Sequence, residues 1–181
     1  LTPKGIKQAE QAAKALQEKD YDRLISSDLD RAVKTAEILN EYHHLELETN
    51  TAIRERNFGV MEGLTREQIL SKYPDTYNGY MQRKDTYQIP EGESLVDFYA
   101  RITSGFKSIA QGNEGKNLLI VSHGGVLDCM MRMIFDYPLT APRRFSIYNA
   151  SINNFSVNNG EWHLDTWGNI EFQQEETMSL E

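Results

Sequence analysis

Apolar positions along this chain switch repeatedly between helical and strand-like spacing. Ile6, Ala9, Ala13 and Leu16 form one helical stripe, and Thr2 with Pro3 before them are an N-cap and a first-turn residue. Leu24-Ile25-Ser26 reads as a short strand. Leu29, Ala32, Val33, Ala36 and Leu39 then predict a second helix, capped by Ser27 or Asp28. Residues 45–53 read as extended, with Leu45 and Leu47 alternating. Thr65 and Gln68 make a capping-box pattern for a helix that ends before Pro74, and the tyrosine-rich residues 74–83 predict another. Ser94 with Asp97 opens a longer helix carrying Leu95, Phe98, Ile102, Phe106 and Ile109. Leu118–Val121 is a continuous apolar run that stops at Ser122-His123-Gly124-Gly125, and a second apolar helix follows over 126–135. Residues 145–148 and 152–157 read as strands. Asn158-Asn159-Gly160 is a hairpin turn, and Trp162, Leu164 and Thr166 alternate on the returning strand. The polar tail from Glu171 is expected to fray.

Helices alternating with strands argue an α/β layer fold. The chain has 181 residues with no repeat, low-complexity segment or linker, so residues 1–181 are expected to be a single domain. Nineteen Lys and Arg against 27 Asp and Glu leave a net charge of −8, which argues against a nucleic-acid partner. Cys129 is the only cysteine and cannot form an internal disulfide, which fits a reducing, cytoplasmic setting. Its place in an apolar helix marks it as core. No stretch reaches the ~20 apolar residues of a membrane span. A monomer or a homodimer is expected.

Three segments carry candidate chemistry. The first is the turn at His123, where a strand delivers an imidazole and two glycines to a helix N-terminus. Free backbone N–H groups there make an anion site. A histidine that simply bonds nearby backbone is the other reading. The second is Ser26-Ser27-Asp28-Leu29-Asp30-Arg31, again a strand running into a helix. Arg31 falls in the first turn, where the macrodipole is unfavourable to a cation. Either Asp28 or Asp30 compensates it, or a bound phosphate does, through a bidentate contact. The third is residues 53–63, with Arg54, Glu55, Arg56 and Glu62 among glycines. Alone it reads equally well as solvated surface. His43 and His44 stand together at a helix end and are expected to be solvated. With His163 they offer no metal-ligand spacing, and no nucleotide-binding glycine loop is present, so no cofactor is expected.

Taken together, five motifs in order resemble the histidine phosphatase superfamily, the phosphoglycerate mutase-like family. They are Leu1-Thr2-x-x-Gly5-x-x-Gln8-Ala9, Ser26-Ser27-Asp28-Leu29-x-Arg31-Ala32-x-x-Thr35-Ala36, Ile53-Arg54-Glu55-x-x-Phe58-Gly59-x-x-Glu62-Gly63, Gly92-Glu93-Ser94 and Val121-Ser122-His123-Gly124-Gly125. Met61 stands where the family usually has Trp. The resemblance implies a three-layer sandwich, with a mostly parallel central sheet flanked by helices. It implies hydrolysis of a small phosphorylated substrate through a phosphohistidine, without a metal. Arg31 and His123 would hold the phosphate oxygens, joined by Asn57, Phe58, Gly124 and Gly125. Glu55 would protonate the leaving oxygen and then activate water.

One family element has no counterpart. The attacking histidine of the family lies in an Arg-His-Gly turn, and this chain contains none. The chain also opens on a helix start with no initiator Met, so the expectation is that its natural N-terminus is absent. The missing strand and loop would be roughly 25–30 residues and belong in the middle of the sheet. On that expectation this 181-residue chain is itself inactive. If it is complete, it is a phosphate-binding module. A mutase shares the same residues. Mutases of the family usually insert a long segment after the acid loop, and only residues 64–89 stand here before Pro90, which favours a phosphatase. Tyr77, Tyr80, Arg83, Lys84 and Tyr87 in that segment line either the substrate mouth or a surface helix.

Overall fold

Thr2 accepts the Gly5 N–H at 3.1 Å and Pro3 takes the first helical position, so α1 (Pro3–Leu16) starts as its sequence dictates. The computed structural model describes residues 1–173. After α1 come β1 (Arg23–Ser26), α2 (Asp30–Leu39), β2 (Leu47–Thr49), α3 (Arg66–Lys72), α4 (Pro74–Met81), α5 (Leu95–Gln111), β3 (Leu118–Val121), α6 (Gly124–Ile134), β4 (Ile152–Asn158) and β5 (Glu161–Asn169). The capping box of Thr65 and Gln68 is formed at α3, and Ser94 Oγ accepts the Asp97 N–H at the head of α5.

β1 is the centre of a parallel sheet in the order β2-β1-β3. Leu24 pairs with Leu47 and Leu119, and Ser26 with Thr49 and Val121. Successive side chains of a strand face opposite ways, and two cores follow. Leu24, Leu119 and Val121 pack with Ala12, Ala13 and Leu16 of α1 and Ala32, Ala36 and Leu39 of α2. Ile25 packs with Phe98, Ile102, Phe106 and Ile109 of α5 and Val126, Cys129 and Met130 of α6. Helices, sheet and helices are therefore three layers of an α/β fold. Arg23 ties β1 to β2 through a bidentate pair with Glu48 and reaches Asn113 Oδ1 at 2.5 Å.

The two C-terminal strands are a hairpin on their own. Asn159 and Gly160 take φ of 52° and 82°, the left-handed pair that a type I′ turn requires. Ile152 packs on the first core, and Phe155 and Trp162 on the second. No ladder bond joins the hairpin to the sheet, and among the described residues the outer edge of β3 pairs with no strand.

Several expectations need correction. Residues 145–148 are not a strand. Their backbone is held by the Trp167 indole, which donates to Ser146 O at 2.9 Å and meets Phe145 edge-on. Of residues 45–53 only Leu47–Thr49 is strand, because Asn50 accepts the Ala52 N–H and starts a 3-10 turn over Thr51–Ile53. Neither Ser27 nor Asp28 caps α2, whose N-cap is Leu29. His43 is half-buried against Tyr21, with its Nε2 buried and unpartnered among the described residues; only His44 is exposed. The tail does not fray at Glu171. Gln173 bonds Gln8, Asn149 and Ala150, and the rest of that expectation lies outside the described residues.

Candidate active site

The parallel pairing of β1 with β3 sends both strand-to-helix turns to one edge of the sheet, the C-terminal edge where α/β proteins bind ligands. His123 is the N-cap of α6, and its Nε2 lies 2.8 Å from Ser27 Oγ at the end of β1. Ser27 is thus turned to the imidazole, three residues before α2 begins at Asp30, and does not cap that helix. The imidazole is buried at 8% exposure. Burial, then the charges of Arg31 and Arg101, push its pKa down to about 4 against an opposing pull from Asp28. His123 is therefore neutral at pH 7.

Arg31 sits in the first turn of α2, exposed. Asp28 does not compensate it, because Asp28 is held by Arg54 in a bidentate pair with Nε to Oδ1 at 2.6 Å. That pair keeps the Asp28 carboxyl below its usual range. Asp30 does not pair with Arg31 either. Among the described residues, the Arg31 guanidinium has no ion pair, hydrogen bond or ring contact.

Glu55 arrives from the loop after β2. Its carboxylate accepts the Gly125 N–H at 3.0 Å and its own neighbour's N–H, that of Arg56, at 2.9 Å. One donor at the head of α6 is thus already taken, where the sequence promised free N–H groups. A Cβ on Gly125 would lie 2.1 Å from Glu55 Oε1, so only glycine lets the carboxylate approach this turn. Ser122 Oγ donates to Ile53 O at 2.8 Å and fastens the same loop to β3.

The rest of the acid loop is not solvated surface. Asn57 spends its side chain on the loop, accepting from Gly59 N and donating to Glu91 O. Gly59 has φ of 50°, and a Cβ there would lie 2.0 Å from Pro90 O; one on Gly92 would lie 2.6 Å from Asn57 O. The two stretches of backbone therefore touch directly. Glu62 Oε1 accepts the Phe58 N–H. Phe58 meets Tyr80 edge-on at 6.1 Å, and the Arg56 guanidinium covers both rings. Burial lowers the pKa of Arg56 against an opposing pull from Tyr80 and Glu93. Tyr80 thus reaches the site loop, whereas Tyr87 is turned to Gly79 and Thr76, and Tyr77 to Arg66. Cys129 is buried, and burial raises its thiol to about 12, consistent with core.

Reasoning from the sequence missed two residues here. Arg101 of α5 donates to Glu93 and to three carbonyls of the acid loop. Burial alone would raise the Glu93 carboxyl, but Arg101 and the Asn57 N–H together hold it below its usual range. Glu93 precedes the Ser94 N-cap while Arg101 lies two turns into α5, so no i,i+3 or i,i+4 pattern couples them and only the Gly92-Glu93-Ser94 motif pointed here.

The fold and these side chains define an α/β protein that gathers an imidazole, a cation and a carboxylate at one sheet edge. The model of the histidine phosphatase superfamily (branch 1) matches residues 1–170, and the chain belongs to that superfamily. It is 31% identical over 180 residues to phosphoglycerate mutase-like protein 4 of Arabidopsis thaliana, covering 97% of this chain and 76% of that one. The solved structure of Bacillus stearothermophilus YhfR superposes with a TM-score of 0.86 at 28% identity, over 95% of this chain and 86% of that one. A mycobacterial glucosyl-3-phosphoglycerate phosphatase, solved with inorganic phosphate, superposes at 0.75 with 28% identity, over 93% and 87%. Among the described residues no helix is long and apolar enough to cross a membrane.

Proposed function

We propose that this protein hydrolyses a small phosphomonoester through a phosphohistidine, residues 1–181 being one domain of that enzyme. The observation that carries the reading is the uncompensated Arg31. A guanidinium with no counter-ion among the described residues, beside a neutral imidazole and a helix N-terminus, supports a dianionic phosphate as its partner. Arg31, His123 and the backbone of Gly124 and Gly125 would bind the oxygens, with Phe58 as a wall and Asn57 bracing it. Fixed donors of this kind stabilise the charge that spreads over the transferring group, so no metal enters the reading.

Glu55 supplies the proton to the leaving oxygen and later takes one from water. The attacking histidine is assigned to a segment outside residues 1–181, placed on a strand along the outer edge of β3. The superposed phosphatase supports a phosphorylated metabolite as substrate. The short α3–α4 excursion between the acid loop and Pro90 favours hydrolysis over the mutase chemistry named in the Arabidopsis relative. If no further segment belongs to the protein, the same site would bind phosphate without turning it over.

The test uses the natural protein, with any residues that precede Leu1 included, on alkyl phosphates and p-nitrophenyl phosphate in excess chelator. General acid catalysis is worth ~10²–10⁴ in rate. Glu55→Gln is expected to cut turnover by about that factor for the alkyl ester and by much less for p-nitrophenol, which departs without full protonation. Glu62→Gln is expected to lower stability with little dependence on the leaving group. Equal losses for Glu55→Gln on both esters contradict the acid role. Activity that disappears in chelator and returns with magnesium or zinc contradicts metal independence.

A further inference from the structure

The Arg101 guanidinium spends all five of its N–H donors at one point of the fold. Nε donates to Glu93 Oε1 at 2.8 Å, and Nη2 to Glu93 Oε2 at 2.8 Å and Glu55 O at 3.3 Å. Nη1 donates to Ala52 O at 2.9 Å and Arg54 O at 3.1 Å. Glu93 Oε2 in turn accepts the Asn57 N–H at 2.9 Å. Both partners are mostly shielded, with side-chain exposures of 27% and 22%, and the guanidinium lies 5.3 Å from the Phe98 ring centroid. The platform beneath is helical and closely packed. Arg101 stands in the 17-residue α5, and a Cβ on Gly105 would come within 2.8 Å of Ala52 Cβ.

The segment tied down this way has no regular structure after its 3-10 turn at Thr51–Ile53. Nothing in its own backbone pattern decides where the Glu55 side chain goes. Arg101 holds the carbonyls of residues 52, 54 and 55, and Glu93 holds the amide of residue 57, so the backbone is fixed on both sides of Glu55. The carboxylate is left to meet two backbone N–H groups and, among the described residues, no side-chain hydrogen-bond partner.

We propose that Arg101, with Glu93, is a positioning residue for proton transfer: it acts on the leaving group only through the placement of Glu55. The proposal rests on the reading of Glu55 as the acid. Lysine is the informative substitution. It keeps the positive charge near His123 but has three rotatable donors in place of a planar fork, so it cannot span a carboxylate and three carbonyls together.

The experiment is a double-mutant cycle on the full-length protein with Arg101→Lys, Glu55→Gln and both, using an alkyl phosphate and p-nitrophenyl phosphate. Inhibition by inorganic phosphate measures the oxygen-binding side of the site. Arg101→Lys is expected to lower kcat on the alkyl ester about tenfold or more, up to the ~10²–10⁴ assigned to losing a general acid outright. The loss should be smaller on p-nitrophenyl phosphate, and inhibition by phosphate should shift less than about twofold. On the Glu55→Gln background, Arg101→Lys should add almost nothing to the loss, because residues that act as a unit are not additive. Glu93→Gln, which keeps the shape and removes the charge, should show the same leaving-group dependence in milder form, and it serves as the readout if Arg101→Lys does not fold. Equal losses on the two esters, or losses that add to those of Glu55→Gln, overturn the positioning role while leaving Glu55 as the acid. No leaving-group dependence in Glu55→Gln itself overturns the acid assignment, and the positioning role with it.

Discussion

At the scale of single residues, His123 ties stability to pH. Its pKa is about 4 in the fold against 6.5 as the ordinary value. Between those values the unfolded chain binds a proton that the folded chain refuses, so the contribution of His123 to stability falls as pH drops from about 6.5 to about 4 and is flat outside that window. The full shift would be about 3 kcal/mol, and residual solvent at the ring reduces the expectation to about 2 kcal/mol. Asp28, Glu48 and Glu93 have lowered carboxyl pKa values and lose stability in acid too, so a difference is needed. Urea unfolding of parent and His123→Gln across pH 4 to 7 should show the variant's slope shallower within that window. Parallel curves would mean that another group carries the dependence. His123 and Arg31 were legible because each sits where a short apolar strand meets a helix, a pattern local in sequence. Arg101 was not, since its carbonyl partners lie 46 to 49 residues away and one mid-helix arginine resembles any other.

At the scale of elements, α3 and α4 differ from the other helices in burying no residue. Their attachment to the body is aromatic, through Tyr80 against Phe58 and beneath Arg56. Removing that ring should loosen the pair locally and leave both cores intact. Tyr80→Ala is expected to speed amide exchange across residues 66–81 while α5 and β1 keep their protection, since local opening draws on few buried contacts. A uniform change in protection over the whole chain would show that the pair is integral to the core. Helix starts were legible from their caps at Thr2, Thr65 and Ser94, where the signal is a side chain reaching its own backbone. Residues 145–148 were misread because alternation cannot tell a ladder from a backbone held by a distant indole.

At the scale of the whole molecule, layer order was legible from the alternation of periods, but strand order was not. β1 pairs with β3 across 95 positions, and the paired residues carry no mark of each other. The same ladder determines what β3 presents outward. Asp22 N–H bonds Asn117 O and Ser27 N–H bonds Val121 O, so the alternating groups of Leu118 and Ile120 point to the unpaired side. Unclaimed donors and acceptors on an apolar strand are a template for any extended chain, a second copy included. The 181-residue chain is therefore expected to stick to itself at micromolar concentration, edge against edge, and to precipitate more readily than its net charge of −8 would allow. Sedimentation across a concentration series should reveal this. Ile120→Pro, which deletes an outward donor and none of the β1–β3 bonds, should weaken it. A chain that stays monomeric throughout would mean the hairpin of β4 and β5 already shields that edge. Solubility, on this account, is governed by one four-residue strand and not by the surface at large.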